Sequence, residues 1–474
     1  MSIAACLFYH HGSGPAPKRE HTRRHMHDMK FIATMIVVSI ALAIPGAIDH
    51  SGPPSYRVVL DPGHGGIASG DINVHGDRYD MLSGKYLVPF AEGAAHRRLW
   101  EHVLVYQIAV KTKNLLDHCS PSGDFGKFRE ILKKFTDEEP VRIIIEPHLS
   151  RGDSSDRKKI AERADPNAEF RLYDYPDGKG GVLPGRISRI NALKPHLVVS
   201  LHMTRDYSAA YRGMNPVIVA PYPVLHKGLL HLQGKVNARG FFNSSGYTDW
   251  FQESGARSSF QWFVNDSSFY FTGFPLTRKG SMDYGKFRGY RYNMVRWAYG
   301  DDDGWDKTAR AHPENSPYAR TLQGFIPSGR FWERENSKQE LYRRNGGEEG
   351  FGGDNNYATS ELIRYILHSL NIRGEDHPHQ RLTRPFISTW SVPLLVNAVA
   401  AFIELGSLAN SRHRYILVQK QDEIAEGLAV GIYSLFSGMK LKKSRYAYLP
   451  KGKKIDLERY TLPDGRTYFD AVVK

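Results

Sequence analysis

Three apolar, β-branched runs of strand length constrain this chain more than any other feature. They are Val58–Gly66 (VVLDPGHGG), Leu197–Thr204 (LVVSLHMT) and Ala401–Asn410 (AFIELGSLAN). Each leads into a side chain that can hold a metal or carry a proton: His64, His202 and Glu404. In an open α/β sheet, ligands bind in the crevice beyond the carboxyl ends of the strands. Two imidazoles and a carboxylate meeting there form the kind of donor set a catalytic zinc site uses. The runs therefore predict an α/β fold, a twisted mixed sheet flanked by helices, with the site at one end of the strands.

The intervening segments fit that scheme. Tyr56–Leu60 is the first predicted strand, stopped by Asp61-Pro62-Gly63, so that His64 falls in a tight glycine-flanked turn. The turn lacks the GxxxxGK[ST] and GxGxxG patterns of phosphate loops. Glu101–Leu116 predicts a helix with Leu104, Ile108, Thr112 and Leu115 on one stripe, and Glu101 one turn before them. A carboxylate on the inward face needs a compensating partner, and a metal would serve. On pattern alone, an exposed first-turn glutamate favouring the helix dipole is the simpler reading. Further elements are predicted as a strand at Val141–Ile145, a helix at Arg186–Leu193 and a helix at Tyr357–Leu370. A strand region at Val392–Ile403 and a helix at Asp422–Phe436 complete the set.

From Arg205 to about Gly353 the periodicity fades into a stretch rich in Trp, Tyr and Phe, too aromatic to be disordered. It reads as a large insertion in a catalytic domain spanning 55–437, either a glycan-stacking platform or a small extra core. A basic tail, 438–474, follows. The only cysteines are Cys6 and Cys119, which excludes a disulfide framework or a cysteine zinc cluster. Any metal must rest on His, Asp and Glu. The formal charge of +14 favours polyanions, among them nucleic acid, acidic lipid and acidic wall polymers, without choosing between them.

Near the amino terminus, Met29-Lys30 precedes FIATMIVVSIALAIPGA, an apolar run of about 15 residues with small-residue cleavage candidates near Ala43 and Ala47. Residues 1–48 thus read as a secretory signal whose true start is Met26 or Met29. An uncleaved anchor, and with it membrane attachment, is the alternative. A periplasmic or extracellular protein is expected.

In order along the chain, DPGHGG (Asp61–Gly66), Glu101 with Ile108-Ala109, and Leu149-Ser150-Arg151 are followed by three more matches. These are Arg186 with Asn191, Ser200-Leu201-His202, and Glu404-x-Gly406 with Asn410. Over roughly 56–204 and 355–437 the chain resembles the family 3 zinc-dependent N-acetylmuramoyl-L-alanine amidases, which hydrolyse peptidoglycan. The resemblance implies Zn2+ held by His64, Glu101 and His202, with Glu404 as the catalytic carboxylate. It implies supporting places for Asp61, Arg186, Asn191 and Asn410. Some relatives carry an inhibitory helix in the interval of the insertion, so a gated site and an activator protein are further expectations.

Three departures stand out. The interval from His64 to Glu101 is long, which makes Glu92 a rival ligand. Thr204 stands where the family more often has asparagine, and the insertion is unusually large. Two rival functions are a zinc peptidase on other peptides and a non-catalytic wall-binding protein with the same fold. A nucleic-acid role has no recognisable module behind it.

Overall fold

The computed structural model describes residues 52–67, 76–80, 85–88, 90, 92–152, 157–205, 213–219, 222–242, 260–272, 275–281, 283, 351–375, 381–383, 385–388 and 392–460. The predicted signal, most of the aromatic stretch and the last part of the basic tail lie outside these residues.

Six strands build the central sheet: β1 (Ser55–Pro62), β2 (Ile144–Leu149), β3 (Leu197–Thr204), β4 (Asn215–Val219), β5 (Phe386–Ser388) and β6 (Val399–Ser407). Their order is β5-β4-β6-β3-β1-β2. All neighbours are parallel except β4 against β6. The fold is mixed α/β with a mostly parallel sheet, as the sequence predicts. Central parallel strands are covered on both faces and so read as continuous apolar runs. β1, β3 and β6 behave accordingly, with Val58, Val59, Leu60, Val198, Val199, Ala401 and Ile403 fully buried.

The principal helices are α1 (Glu101–Leu116), α2 (Phe125–Leu132), α3 (Arg186–Ala192), α4 (Tyr222–Leu232), α5 (Phe260–Thr272), α6 (Phe351–Ile372), α7 (Ser411–Gln419) and α8 (Gln421–Ser437). α1 packs against β1, β2 and β3, and α6 against β4 and β6. α8 packs on both α1 and α6, and is buried on all sides from Ile424 to Phe436. That explains its near-continuous apolar sequence. Among the described residues, no helix is long and apolar enough to cross a membrane.

Three elements differ from the sequence reading. The strand region expected at Val392–Ile403 opens on a 3-10 turn at Val392–Leu394, and the strand itself, β6, runs from Val399 to Ser407. The strand expected at Val141–Ile145 begins at Ile144 and runs on to Leu149, through Pro147. It pairs only with β1, and an edge strand tolerates a proline because no second neighbour needs the missing N–H. β4 arises inside the stretch read as an insertion, yet it is a member of the central sheet. α4 and α5, which pack on one another, come from the same stretch.

The first part of the basic tail is docked rather than loose. Met439 N donates to Gly452 O at 2.9 Å, closing a loop. Ile455 N donates to Leu435 O and Lys442 N to Phe135 O, both at 2.8 Å. Cys119 is buried behind α1, and burial pushes its thiol up to about 12, which makes it inert at neutral pH.

Candidate metal centre

The site forms where β1, β3 and β6 end. His64 lies two residues beyond β1, in the turn Gly63–Gly66. His202 lies inside β3, and Glu404 faces it in register on β6. Glu101 is the first residue of α1. A short hairpin, Ala95–His96 against Leu99–Trp100, delivers it there. That hairpin and the pair Asp77–Asp80 with Lys85–Val88 occupy the long interval after His64.

The donor atoms of His64, Glu101 and His202 lie within 4.8 Å of one another. His64 Nε2 is 3.7 Å, and His202 Nδ1 3.1 Å, from Glu101 Oε1. Ligands of a tetrahedral zinc at bond lengths near 2.1 Å stand roughly 3.4 Å apart. The spacing and the His, His, Glu donor set therefore fit such an ion. His64 keeps 31% of its side-chain surface, whereas Glu101 keeps 2%, so the centre opens on the His64 side.

Glu101 is buried, against the exposed first-turn reading. Its Oε2 accepts from Ala94 N at 2.6 Å and its Oε1 from Met203 N at 2.9 Å. Burial alone would push the Glu101 carboxyl up. The charge on His64 and the hydrogen bond from His202 overcome that and hold it well below the usual carboxylate range. Glu92 meets the neighbourhood differently, its carbonyl accepting from His102 Nδ1 at 2.9 Å. Glu101, not Glu92, is the carboxylate grouped with the two imidazoles.

Glu404 has the opposite character. Its Oε2 is buried without a hydrogen-bond partner. Burial is the main cause raising its carboxyl above the usual range, with Glu101 adding to it and His202 opposing. Two carboxylates pushed in opposite directions by their surroundings separate into a ligand-like and a proton-carrying group. Burial disfavours the charged form of His202, but Glu101, Glu404 and Asp61 outweigh it and raise the imidazole.

Much of the surrounding structure holds the His64 turn. His64 has φ +59°, a left-handed conformation that costs a residue with a Cβ about 1–2 kcal/mol. Two buried arginines secure it. Arg186 Nη1 donates to Pro62 O at 2.9 Å and His64 O at 3.2 Å. Arg151 donates to Pro62 O at 2.8 Å, Gly63 O at 3.2 Å and His102 O at 2.8 Å. Asp61 stands behind them, accepting from Ser150 Oγ at 2.5 Å and Ser200 Oγ at 2.8 Å, with Arg186 at 3.6 Å. Burial would raise the Asp61 carboxyl, and Arg186 and the two serines bring it below its ordinary value.

Two glycines make room for this packing. A Cβ on Gly63 would lie 2.3 Å from the His202 ring. One on Gly93, at φ +97°, would lie 2.8 Å from both Glu101 Oε2 and His64 Cγ.

Two of the expected supporting residues are engaged by backbone groups. Asn191 ties α3 to the approach of β6, donating to Leu395 O at 3.1 Å and accepting from Asn397 N at 2.8 Å. Asn410 caps α7, its Oδ1 accepting from Arg412 N and His413 N. Sequence reasoning gave Arg151 no part in the site, and it overlooked Gly93 and Phe402. Phe402 stacks on the His202 ring at 4.2 Å and 11°. Its signal was the strand alternation that puts residue 402 on the same side as Glu404.

No protein-family model matches the chain, and no curated protein matches it in sequence. Among solved structures, it is similar to the N-acetylmuramyl-L-alanine amidase Ami1 of Mycobacterium abscessus. That match has 12% identity over 80% of this chain and 96% of the other, with a TM-score of 0.29. Ami1 of Mycobacterium smegmatis matches at 11% identity over 80% and 97%, with a TM-score of 0.31. The CwlD amidase of Clostridioides difficile, solved in complex with the GerS lipoprotein, matches at 13% identity over 80% and 96%, with a TM-score of 0.29.

Proposed function

We propose that this chain is a zinc-dependent hydrolase of the amide between N-acetylmuramic acid and the L-alanine of peptidoglycan stem peptides. One observation carries the reading: His64, Glu101 and His202 converge within 4.8 Å beside Glu404, whose buried Oε2 has no partner. Two imidazoles and a carboxylate leave one tetrahedral position open. When bound there, zinc supplies Lewis acidity at the scissile carbonyl and brings the pKa of a water towards 7.

The protein's own groups do the rest. Glu404 takes the proton of the attacking water as its oxygen joins the acyl carbon. It then returns that proton to the nitrogen as the carbon–nitrogen bond breaks, so the products are a free lactyl carboxylate and an L-alanine amine. A carboxyl raised by burial suits both halves of this transfer. Glu101, buried and fixed by two backbone amides, keeps the imidazoles in place, and Phe402 fixes the plane of His202. The expected export, a signal at residues 1–48 and an activator acting through residues 205–353 belong to the same proposal.

The test is digestion of purified sacculi in the presence of zinc, with products identified by mass spectrometry. Intact stem peptides with free L-alanine amino termini are expected. Cleavage within the stems would overturn the reading.

A further inference from the structure

The end of the sheet opposite the metal centre carries a second feature. Residues 440–455 (KLKKSRYAYLPKGKKI) hold seven Lys and Arg and no Asp or Glu. This segment is a built loop. Its ends meet through Met439 N and Gly452 O. The buried Glu361 of α6 accepts from Lys451 N at 2.6 Å and Gly452 N at 2.7 Å, and Tyr357 Oη donates to Lys453 O at 2.7 Å. Tyr446 and Tyr448 pack edge to face within it at 5.8 Å. A compact loop closed at its ends and packed by its own side chains holds its surface charges in fixed places.

Two of the cations have acidic neighbours, Lys440 with Glu138 at 3.6 Å and Lys442 with Asp137 at 3.4 Å. The other five, Lys443, Arg445, Lys451, Lys453 and Lys454, are exposed, and none forms an ion pair with a described residue. On the same flank Arg129 is matched by Glu139, Lys133 by Glu130 and Lys134 by Glu426, whereas Lys127 and Arg142 form no ion pair with a described residue. The loop is distinguished by density, with five such cations among the twelve residues 443–454.

Its position decides what it can serve. The loop is followed by Ile455, bound to Leu435, and the next residue, Phe436, stacks on Tyr56 at 4.2 Å. Tyr56 is the second residue of β1, whereas Asp61 lies near its other end and His64 just past it. Roughly 17 Å of strand separates Tyr56 from Asp61. The loop is therefore remote from the cleft and does not line it. The chain also enters β1 at this end, and the apolar run 31–47 precedes β1 in sequence by only a few residues.

We propose that the 440–454 loop is a docking surface for an anionic phospholipid bilayer, holding the protein with its cleft turned away from the membrane. A fixed array of unpaired cations flanked by tyrosines matches acidic head groups, which attract each nearby Lys or Arg. The proposal is independent of the reaction performed at the other end.

The test is co-sedimentation of the full chain with phosphatidylglycerol/phosphatidylcholine vesicles and with pure phosphatidylcholine vesicles, at low and high salt. Binding by the apolar run alone would be equal on both. The structure predicts tighter binding to the acidic vesicles, weakened by salt. Changing Lys443, Arg445, Lys451, Lys453 and Lys454 together to Gln should abolish that preference. The expected fall is at least about a hundredfold, since one such residue near an acidic surface is worth about fivefold. A control changing five exposed cations elsewhere, Lys158, Lys179, Lys235, Arg278 and Lys279, should retain the preference with an unchanged melting temperature in both variants. Equal loss in the control would overturn the proposal, since net charge would then suffice. So would salt-sensitive binding to a soluble polyphosphate without any preference for acidic vesicles, which would assign the loop to an anionic polymer.

Discussion

The two ends of the sheet use charge in opposite ways. At the end of β1, β3 and β6 that carries the candidate centre, Asp61, Glu101, Arg151 and Arg186 are all buried, and the carboxylates and guanidinia answer one another or the backbone. At the other end, five cations of the 440–454 loop stand exposed and form no ion pair with a described residue. Burying a charge is costly unless it is paired and hydrogen-bonded, so the first end is built for geometry. Exposed charge costs little and acts at a distance, so the second is built for attraction. Substitutions at the first end should therefore change stability and metal affinity, whereas those at the second should leave both alone.

The largest structural effect is expected from Arg186→Ala. It removes two hydrogen bonds from the His64 turn and leaves Asp61 buried beside an empty place. Breaking a buried pair in this way costs about 3–5 kcal/mol. Urea denaturation of the metal-free protein checks it, and a loss under 1 kcal/mol would show that the turn holds itself.

A middle-sized effect concerns acid. The His202 imidazole is raised in the folded protein by Glu101, Glu404 and Asp61 against the effect of burial. Its protonated form therefore stabilises the metal-free fold below the unfolded pKa, and this contribution is lost as pH rises through the raised folded value. Zinc needs the neutral ring, so the two compete. Zinc affinity should fall as pH is lowered through that raised value, by up to about tenfold per unit for this one proton. Zinc titrations at a series of pH values read it directly, and a flat profile between pH 6 and 8 would contradict it.

The smallest effect separates a cap from a site. Asn410→Ala removes the side-chain acceptor for Arg412 N and His413 N at the start of α7. A loss of about 1 kcal/mol in thermal or urea unfolding is expected, with zinc affinity unchanged. A large loss of zinc affinity would return Asn410 to the centre.

The parts of the fold that were legible in the sequence are those where one physical requirement dominates. β1, β3, α1 and α8 sit in the middle of the molecule, and their apolar periodicity reports burial directly. β2 was placed a few residues early because Val141 and Arg142, though β-favouring in appearance, are exposed, and Pro147 masks the true strand. β4 was hidden because its neighbours in sequence are aromatic and irregular. It was recruited by tertiary pairing with β6 rather than by local pattern. At the site, His64, His202 and Glu404 were visible because each follows, or lies near the end of, an apolar strand run. Glu101 was not distinguishable by pattern from an exposed first-turn acid. Only the hairpin that folds Ala94 against it shows that it is buried. Arg151 was visible only as part of a motif match and Gly93 not at all, since their roles depend on carbonyls and rings brought together from distant segments.

The central claim divides labour between a carboxylate that holds the metal and one that moves the proton. It is tested most directly by measuring bound zinc and stem-peptide release from sacculi for the native chain, Glu101→Ala and Glu404→Ala side by side. The division predicts that Glu101→Ala loses both zinc and release. It predicts that Glu404→Ala keeps stoichiometric zinc while release falls about 10²–10⁴-fold. Full release by a zinc-loaded Glu404→Ala protein, or undiminished zinc in Glu101→Ala, would contradict it.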